Sequence, residues 1–341
     1  MRILVFSDWH IHHTHRFSHI TQDGYSIREL EHLECANTIE KICKEQNIDR
    51  IVFGGDAWAP TGDSMSGQSL CCLLEFFDRL SKICPVDVVV GNHDQITHQY
   101  HKLMPLKYMN NITVYDQPTI IGNFVYVPYS DIDDTIAGFL ETIKNKNECI
   151  VFSHVEISNI DLGNGIFSKK GIDLNLLKQF KKVFQGHYHS GGKYGKDIYI
   201  VGSTQRMSFK DPGLARKNII IYDTETDAVT RESFESPNWL TFTDENIDDV
   251  LKADPNNYVK ICVSMDILLT DEIKEKLRQF KGTDVHIDVS RISVNRKVDT
   301  VESTEDESEV IRLFVNKSDN SEEQKEALIN TGISLLERVK A

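Results

Sequence analysis

The sequence predicts an α/β protein built on two packed sheets, and three observations carry that prediction. Five short apolar runs each close on a small residue and a polar cluster, helical stretches lie between the first three runs, and from Phe124 onward strand follows strand. Alternating strand and helix implies an α/β sheet, whose ligands gather beyond the carboxyl ends of its strands.

The five runs are Ile3–Phe6 before Ser-Asp-Trp-His, Ile51–Phe53 before Gly-Gly-Asp, Val86–Val90 before Gly-Asn-His-Asp, Ile150–Phe152 before Ser-His, and Val183-Phe184 before Gln-Gly-His-Tyr-His. Bounded apolar runs of this length read as buried strands. All five polar clusters are then expected at one sheet edge. Between the first two runs, Leu33, Ala36, Ile39 and Cys43 keep a helical period, and a second helix is expected around Leu70–Leu80. The later strands, Phe124–Val127, Ile198–Val201, Asn218–Tyr222 and Thr230–Phe234, are expected to form the second sheet.

Pro237 closes that region, so a catalytic domain is expected over residues 1–235 and a small α+β capping domain over 236–294. The latter has strands at Val259–Ser264 and Val285–Val289 and a helix at Asp271–Phe280, N-capped by Thr270. Residues 295–320 are polar, and Asp299–Glu309 holds six acidic and no basic residues; this segment reads as a flexible linker. A helix over Glu322–Val339 ends the chain within segment 321–341, with capping-box spacing between Ser321 and Gln324. Its Leu328, Ile329, Ile333, Leu335, Leu336 and Val339 form a stripe too broad to leave in water, the pattern of a tethered helix that docks in a partner's groove.

Composition narrows the function classes. The hydrophobic share is 40% and the charged share 26%, ordinary for a soluble globular chain. Met1-Arg2 runs straight into Ile3–Phe6, wrongly flanked for a signal peptide, and no apolar run nears the roughly 18 residues that span a bilayer. A cytoplasmic protein without membrane partners is expected. The seven cysteines lack C-x-x-C spacing and mostly sit among apolar residues, as reduced core thiols do. A net charge of −14 opposes a nucleic-acid partner, yet Lys169–Lys217 holds eleven basic residues against three acidic ones, and bound cations add positive charge.

The chemistry lies in Asp8, His10, Asp56, Asn92, His154, His187 and His189, all oxygen or imidazole donors placed just after expected core strands. Such donors without thiolate suit Mn²⁺, Fe²⁺ or Zn²⁺ better than Ca²⁺. Seven exceed the need of one ion, so two ions sharing a bridging carboxylate is the economical reading. In Asp8-x-His10 and His187-x-His189, alternate residues of an extended segment face the same way. His93, beside a ligand, is assigned as general acid or as a stabiliser of transition-state charge. His12, His13, His15 and His19 read as a solvated loop rather than a third metal site, and Trp9 and Trp58 as packing around the centre.

Asp8-Trp9-His10, Gly55-Asp56, Gly91-Asn92-His93-Asp94, a lone His154 and Gly186-His187-Tyr188-His189 resemble, in order, the five signatures of calcineurin-like metallophosphoesterases. Within that superfamily the chain looks like the SbcD branch, the nuclease subunits of SMC-like ATPase complexes that process DNA ends. Ser7–His10 at the start, Gly202-Ser203-Thr204-Gln205-Arg206 after the last metal motif, and the appended small domain, linker and helix carry that likeness.

The resemblance implies an α/β/β/α sandwich of two mixed sheets with a small α+β cap and a C-terminal helix. It implies one ion on Asp8, His10, Asp56 and His189 and another on Asp56, Asn92, His154 and His187, with Mn²⁺ foremost and Mg²⁺ as the alternative. Exonuclease or endonuclease activity on DNA, docking of the last helix on an SbcC-type ATPase, and a homodimer follow as expectations. Ala59 departs from the branch, many of whose members carry a histidine three positions after the bridging aspartate. The rival readings are a phosphodiesterase or phosphatase acting on a small molecule or phosphoprotein, and a non-catalytic scaffold on the same fold.

Overall fold

The structure, a computed structural model, describes residues 1–11, 20–59, 66–97, 100–160, 167–206, 209, 217–234, 236–264, 269–288, 307–316 and 321–340. The histidines at 12, 13, 15 and 19 lie outside the described residues, as does most of the acidic stretch 299–309. Two compact units divide the chain, Met1–Asp288 and Val289–Ala341.

The first unit is a four-layer sandwich. In its first sheet, β1 (Arg2–Phe6), β2 (Arg50–Phe53), β3 (Val86–Val89) and β4 (Ile112–Tyr115) run parallel, and β13 (Lys217–Asp223) and β14 (Val229–Phe234) extend it antiparallel beyond β1. In the second sheet β6 (Phe124–Val127), β7 (Ile150–Ser153), β10 (Lys182–Gln185) and β12 (Ile198–Ile200) are parallel. Antiparallel edges β5 (Thr119–Ile121) and β11 (Gly192–Tyr194) close it on either side. A two-stranded ladder, β8 (Ile157–Ser158) with β9 (Ile172–Asp173), lies apart from both.

Side-chain alternation builds the layers. Along β1, Ile3 and Val5 join Val52, Val89, Phe152, Phe184 and Ile220 in a core between the sheets, while Leu4 and Phe6 turn outward. The outward face of the first sheet is covered by α1 (Ile27–Glu45) and α2 (Gly67–Ser81), which bury Ala36, Ile39, Leu73, Phe76 and Phe77. The second sheet is covered by α3 (Asp133–Thr142) and α4 (Leu174–Leu177) through Ile136, Leu140 and Leu177. Each large apolar side chain so buried contributes roughly 1.5–3 kcal/mol. Helix α1 starts where Ser26 and Glu29 close a capping box, with the Glu29 N–H donating to Ser26 Oγ at 3.1 Å and the Ser26 N–H to Glu29 Oε2 at 2.8 Å.

The expected α/β/β/α sandwich is observed, but four strands sit in the other sheet from the one expected. β7 and β10 belong to the second sheet, and β13 and β14 complete the first. Strands buried on both faces look alike in sequence, so an apolar run does not reveal which sheet it joins. The polar clusters therefore converge from two sheets rather than along one edge.

In the small segment after Pro237, strand and helix alternate. β15 (Trp239–Thr243), β16 (Tyr258–Ser264) and β17 (Gly282–Asp288) are all parallel, joined through a short 3-10 helix at Ile247–Lys252 and α5 (Asp271–Leu277). It is fixed to α1 by Arg28, a buried guanidinium 5.3 Å from the ring centres of both Trp239 and Tyr258. Arg28 also binds Glu31 at 2.6 Å, which in turn accepts from Tyr258 Oη at 3.0 Å and Lys281 Nζ at 2.8 Å. Arg206 pairs with Asn238, so the 202–206 segment belongs to the same joint.

The second unit is a pair of helices, α6 (Glu307–Asn316) and α7 (Glu322–Lys340). The segment 295–320, expected as flexible linker, thus contains α6, whose Val310, Ile311 and Phe314 keep a helical period that the surrounding acidity obscures. Gly332 of α7 lies so close to Ile311 that a Cβ there would approach its Cγ2 to 3.0 Å. Ser321 and Gln324 cap α7 as expected. No helix among the described residues is long and apolar enough to cross a membrane.

Candidate metal centre

The seven expected ligands come from loops after β1, β2, β3, β7 and β10, and the structure brings them together. Ligand atoms of Asp8, His10 and His189 lie within 4.8 Å of one another, and so do those of Asp56, His154 and His187. Asn92 joins the second group, its Oδ1 standing 3.1 Å from His154 Nε2 and 2.9 Å from His187 Nδ1. Asp56 lies between the groups, with Oδ2 3.1 Å from His154 Nε2 and 3.9 Å from His10 Nε2.

The donors fit bound cations. Among the described residues, both carboxylate oxygens of the fully buried Asp8 accept no hydrogen bond, and His10 Nε2 is 3.7 Å away. A buried carboxylate left so is costly unless a cation meets it. His10 Nδ1 donates to the Trp58 carbonyl at 3.1 Å and His154 Nδ1 to the Gly54 carbonyl at 2.7 Å, which fixes each ring with its Nε2 toward the centre. The Nε2 atoms of His10 and His189 face each other at 2.9 Å, two donors converging on one point. Asp8, His10, Asp56 and His189 would hold one ion, and Asp56, Asn92, His154 and His187 the other. Two divalent cations held by these residues would supply charge stabilisation to the attacking and leaving oxygens of a displacement at phosphorus.

The backbone at these ligands is unusual. Asp8, His10, Asp56 and His187 all have left-handed conformations, with φ of 55°, 50°, 58° and 73°. The donors of Asp8-x-His10 thus converge through a turned chain, not by the alternation of an extended segment expected from the spacing. Two glycines leave the necessary room. A Cβ on Gly91 would meet Asp56 Oδ1 at 2.2 Å, and one on Gly55, at φ +101°, would meet His154 Nδ1 at 2.4 Å.

A residue to which the sequence assigns no role holds this geometry. Asp94, wholly buried, accepts four backbone N–H bonds: from Asp56 and Gly91 on Oδ2, both at 2.9 Å, and from Ala57 at 2.9 Å and Trp58 at 3.1 Å on Oδ1. Burial, reinforced by the Asp56 charge, pushes its pKa up, but both oxygens are already engaged as acceptors and a proton would have to displace an amide. Its only signal in the sequence is its place directly after Asn92-His93. Lys217, also buried, donates to Ser203 Oγ at 2.8 Å and so braces the chain that follows His189. Trp9 and Trp58 pack beside the centre; Trp9 is fully buried and stacks on Phe76 at 4.2 Å.

His93 stands on the open side of the centre. Its ring is more exposed than the buried ligands, its Nε2 is 3.9 Å from Asp56 Oδ2, and its N–H donates to Asp56 Oδ1 at 2.9 Å. Lys102 Nζ donates to its carbonyl at 3.1 Å. Burial lowers the proton affinity of its ring, which makes the protonated form a better donor to a departing oxygen. Its ligand atoms also fall within 4.8 Å of those of His10 and Asp56, close enough to act at the same phosphorus. Ala59 donates its N–H to the Ile11 carbonyl at 3.1 Å and brings no ligand.

Residues 1–198 match the model of the calcineurin-like phosphoesterase family, and the chain belongs to that family. It is a metal-dependent hydrolase of the phosphoesterase fold. It is 30% identical to the putative phosphoesterase 244L of Invertebrate iridescent virus 6 over 204 residues, 54% of this chain and 71% of the relative. Over 319 residues, 91% of this chain and 88% of the relative, it is 24% identical to exonuclease subunit 1 of Enterobacteria phage T4. It is also 31% identical to an SbcCD nuclease subunit of Bacillus subtilis over 133 residues, 38% of this chain and 30% of that one.

Asp56→Ala is expected to bind fewer than two ions by metal analysis, whereas His93→Ala keeps both and loses turnover by roughly a hundredfold or more; two ions in the Asp56 variant would contradict its bridging place. Protons supply a second test. Burial opposes charge on His154, but the Asp56 carboxylate outweighs it and raises the pKa to about 9, while burial and the His154 charge lower His187 to about 4. At pH 7 His154 therefore carries a proton that a metal must displace, and His187 does not. Burial also opposes charge on His10, but Asp8 and Asp56 outweigh it and raise its proton affinity, so metal titration in buffers of different ionisation enthalpy should show net proton release and an affinity that rises with pH; affinity independent of pH would contradict this.

Proposed function

We propose that this chain is a two-metal DNA nuclease, the catalytic subunit of an SbcCD-type complex that processes DNA ends in recombination and repair. The observation that carries the proposal is the extent of the likeness to the phage exonuclease subunit. It covers 91% of the chain and so reaches past the phosphoesterase domain into the small β/α unit and beyond. A phosphoesterase that serves only a small substrate has no use for those additions.

The chemistry is hydrolysis of a phosphodiester. Asp56 and the imidazoles on either side of it hold the cations, and His93, on the open side, passes a proton to the departing sugar oxygen. Mn²⁺ is the proposed metal, because a centre with four imidazoles and few carboxylates binds it more readily than the harder Mg²⁺. The helix pair of the second unit is proposed to dock on an SMC-like ATPase. Val310 and Leu328 are exposed apolar residues on it, at 42% and 48%, and a broad apolar helical face on a tether suits a groove in another chain. Two copies of this chain would then stand in one cytoplasmic assembly, which sedimentation of the full chain measures directly.

The full chain and a variant lacking 289–341 would be incubated with linear duplex, single-stranded and circular DNA, with Mn²⁺ or Mg²⁺ and a small phosphodiester as control. Mn²⁺-dependent cleavage of DNA at a kcat/KM well above that of the small ester is expected in both, since an extended substrate supplies binding energy remote from the phosphorus. Only the full chain should co-purify with the ATPase. A strong preference for the small ester would favour a phosphodiesterase or phosphatase of small substrates, and undiminished co-purification of the shortened chain would move the docking site elsewhere.

A further inference from the structure

We infer that the hollow beside His187 and His189 is a subsite for one unpaired nucleobase of the DNA strand being cut. The inference rests on the DNA reading above and specifies which part of the substrate the protein reads. A cavity of about 280 Å³ opens directly against both ligand histidines, and Tyr188, Tyr194, Ile160, Ile200 and Ser190 form the rest of its wall. Tyr188 lies between the two ligands in sequence, and its ring is anchored where the Ile157 N–H donates to its hydroxyl at 2.8 Å. It packs with Tyr194 against the core of the second sheet, so the aromatic wall has a rigid backing.

The chemistry of the lining selects the occupant. A phosphate held at the cations has two kinds of group attached to it, a further stretch of sugar-phosphate and a base. No lysine or arginine lines the hollow among the described residues, and its two imidazoles belong to the metal centre, so a second phosphate finds no counter-charge there. Two tyrosine rings and two isoleucines instead suit a flat, uncharged ring, with the Ser190 hydroxyl on hand for a base edge. Aromatic walls take any base by its face and discriminate little among sequences. The volume falls below the usual range for drug-sized ligands, which fits one ring system and not a base pair. A nucleotide that enters must leave the duplex stack, which costs least at a frayed end or in a single strand.

The test uses the full chain with Mn²⁺ and single-stranded oligonucleotides whose terminal residue, at one end or the other, is either intact or an abasic tetrahydrofuran. Loss of the base at one of the two ends should lower kcat/KM roughly tenfold or more. In Tyr194→Ala, and in Ser190→Trp, which fills the hollow from a more exposed position, the ratio of intact to abasic rates should fall toward one. Equal rates on intact and abasic ends in the unaltered protein overturn the subsite alone, as does a ratio preserved in both variants. Hydrolysis of bis(p-nitrophenyl) phosphate with no cleavage of any oligonucleotide overturns the DNA reading and the subsite with it.

Discussion

Everything at the centre depends on four backbone N–H groups converging on one buried carboxylate. Asp94 ties the loop of Asp56, Ala57 and Trp58 to the loop of Gly91, and the loop of Asp8 and His10 is laced to the first of these in turn. The N–H groups of Asp8, His10 and Ile11 donate to the carbonyls of Gly55, Asp56 and Ala57 at 2.9, 3.0 and 2.8 Å. A left-handed backbone costs roughly 1–2 kcal/mol at a residue with a side chain, and four ligands adopt it. Their sum is comparable to the net stability of a whole domain, about 5–15 kcal/mol. Hydrogen bonds to a charged acceptor, at about 1.5–3 kcal/mol each, are strong enough to hold such a chain in place. The hydrogen bonds thus hold the ligand loops in place, and strain is retained where the chemistry needs it.

Two sheets feeding one site explain how ligands so distant in sequence meet. The loops after β1, β2 and β3 bring Asp8, His10, Asp56 and Asn92 from one sheet, and those after β7 and β10 bring His154, His187 and His189 from the other. The His154 ring joins the halves, with Nδ1 on the Gly54 carbonyl of the first sheet and Nε2 near Asp56 and Asn92. Burial alone would disfavour so many charged groups, and the carboxylates and imidazoles offset one another: His154 is raised and Asp56 held below the usual carboxylate range. His154 would have to give up its proton to hold a cation, which is why metal binding and pH must be linked.

Much of this was legible in the sequence, and what was not has physical reasons. The ligand types, their positions after strands and the glycines beside them could be read, because buried strands and turn residues leave strong local signals. Which sheet each strand joins could not, since that is settled by contacts between distant residues. Nor could the left-handed ligands: the Asp-x-His spacing suits an extended chain equally well, and only the backbone hydrogen bonds select the turn. Asp94 acts entirely through main-chain amides, which no side-chain pattern displays. Helix α6 was hidden because the acidity of its surroundings masks the period of Val310, Ile311 and Phe314. The joint at Arg28 draws on Trp239 and Tyr258, more than two hundred residues away.

The central claim is that one centre holds two ions that share Asp56. Anomalous diffraction at the manganese edge from crystals of the full chain grown with Mn²⁺ tests it most directly. Two peaks are predicted, one among Asp8, His10 and His189 and one among Asn92, His154 and His187, with Asp56 between them. A single peak, or a second ion that does not touch Asp56, would contradict it.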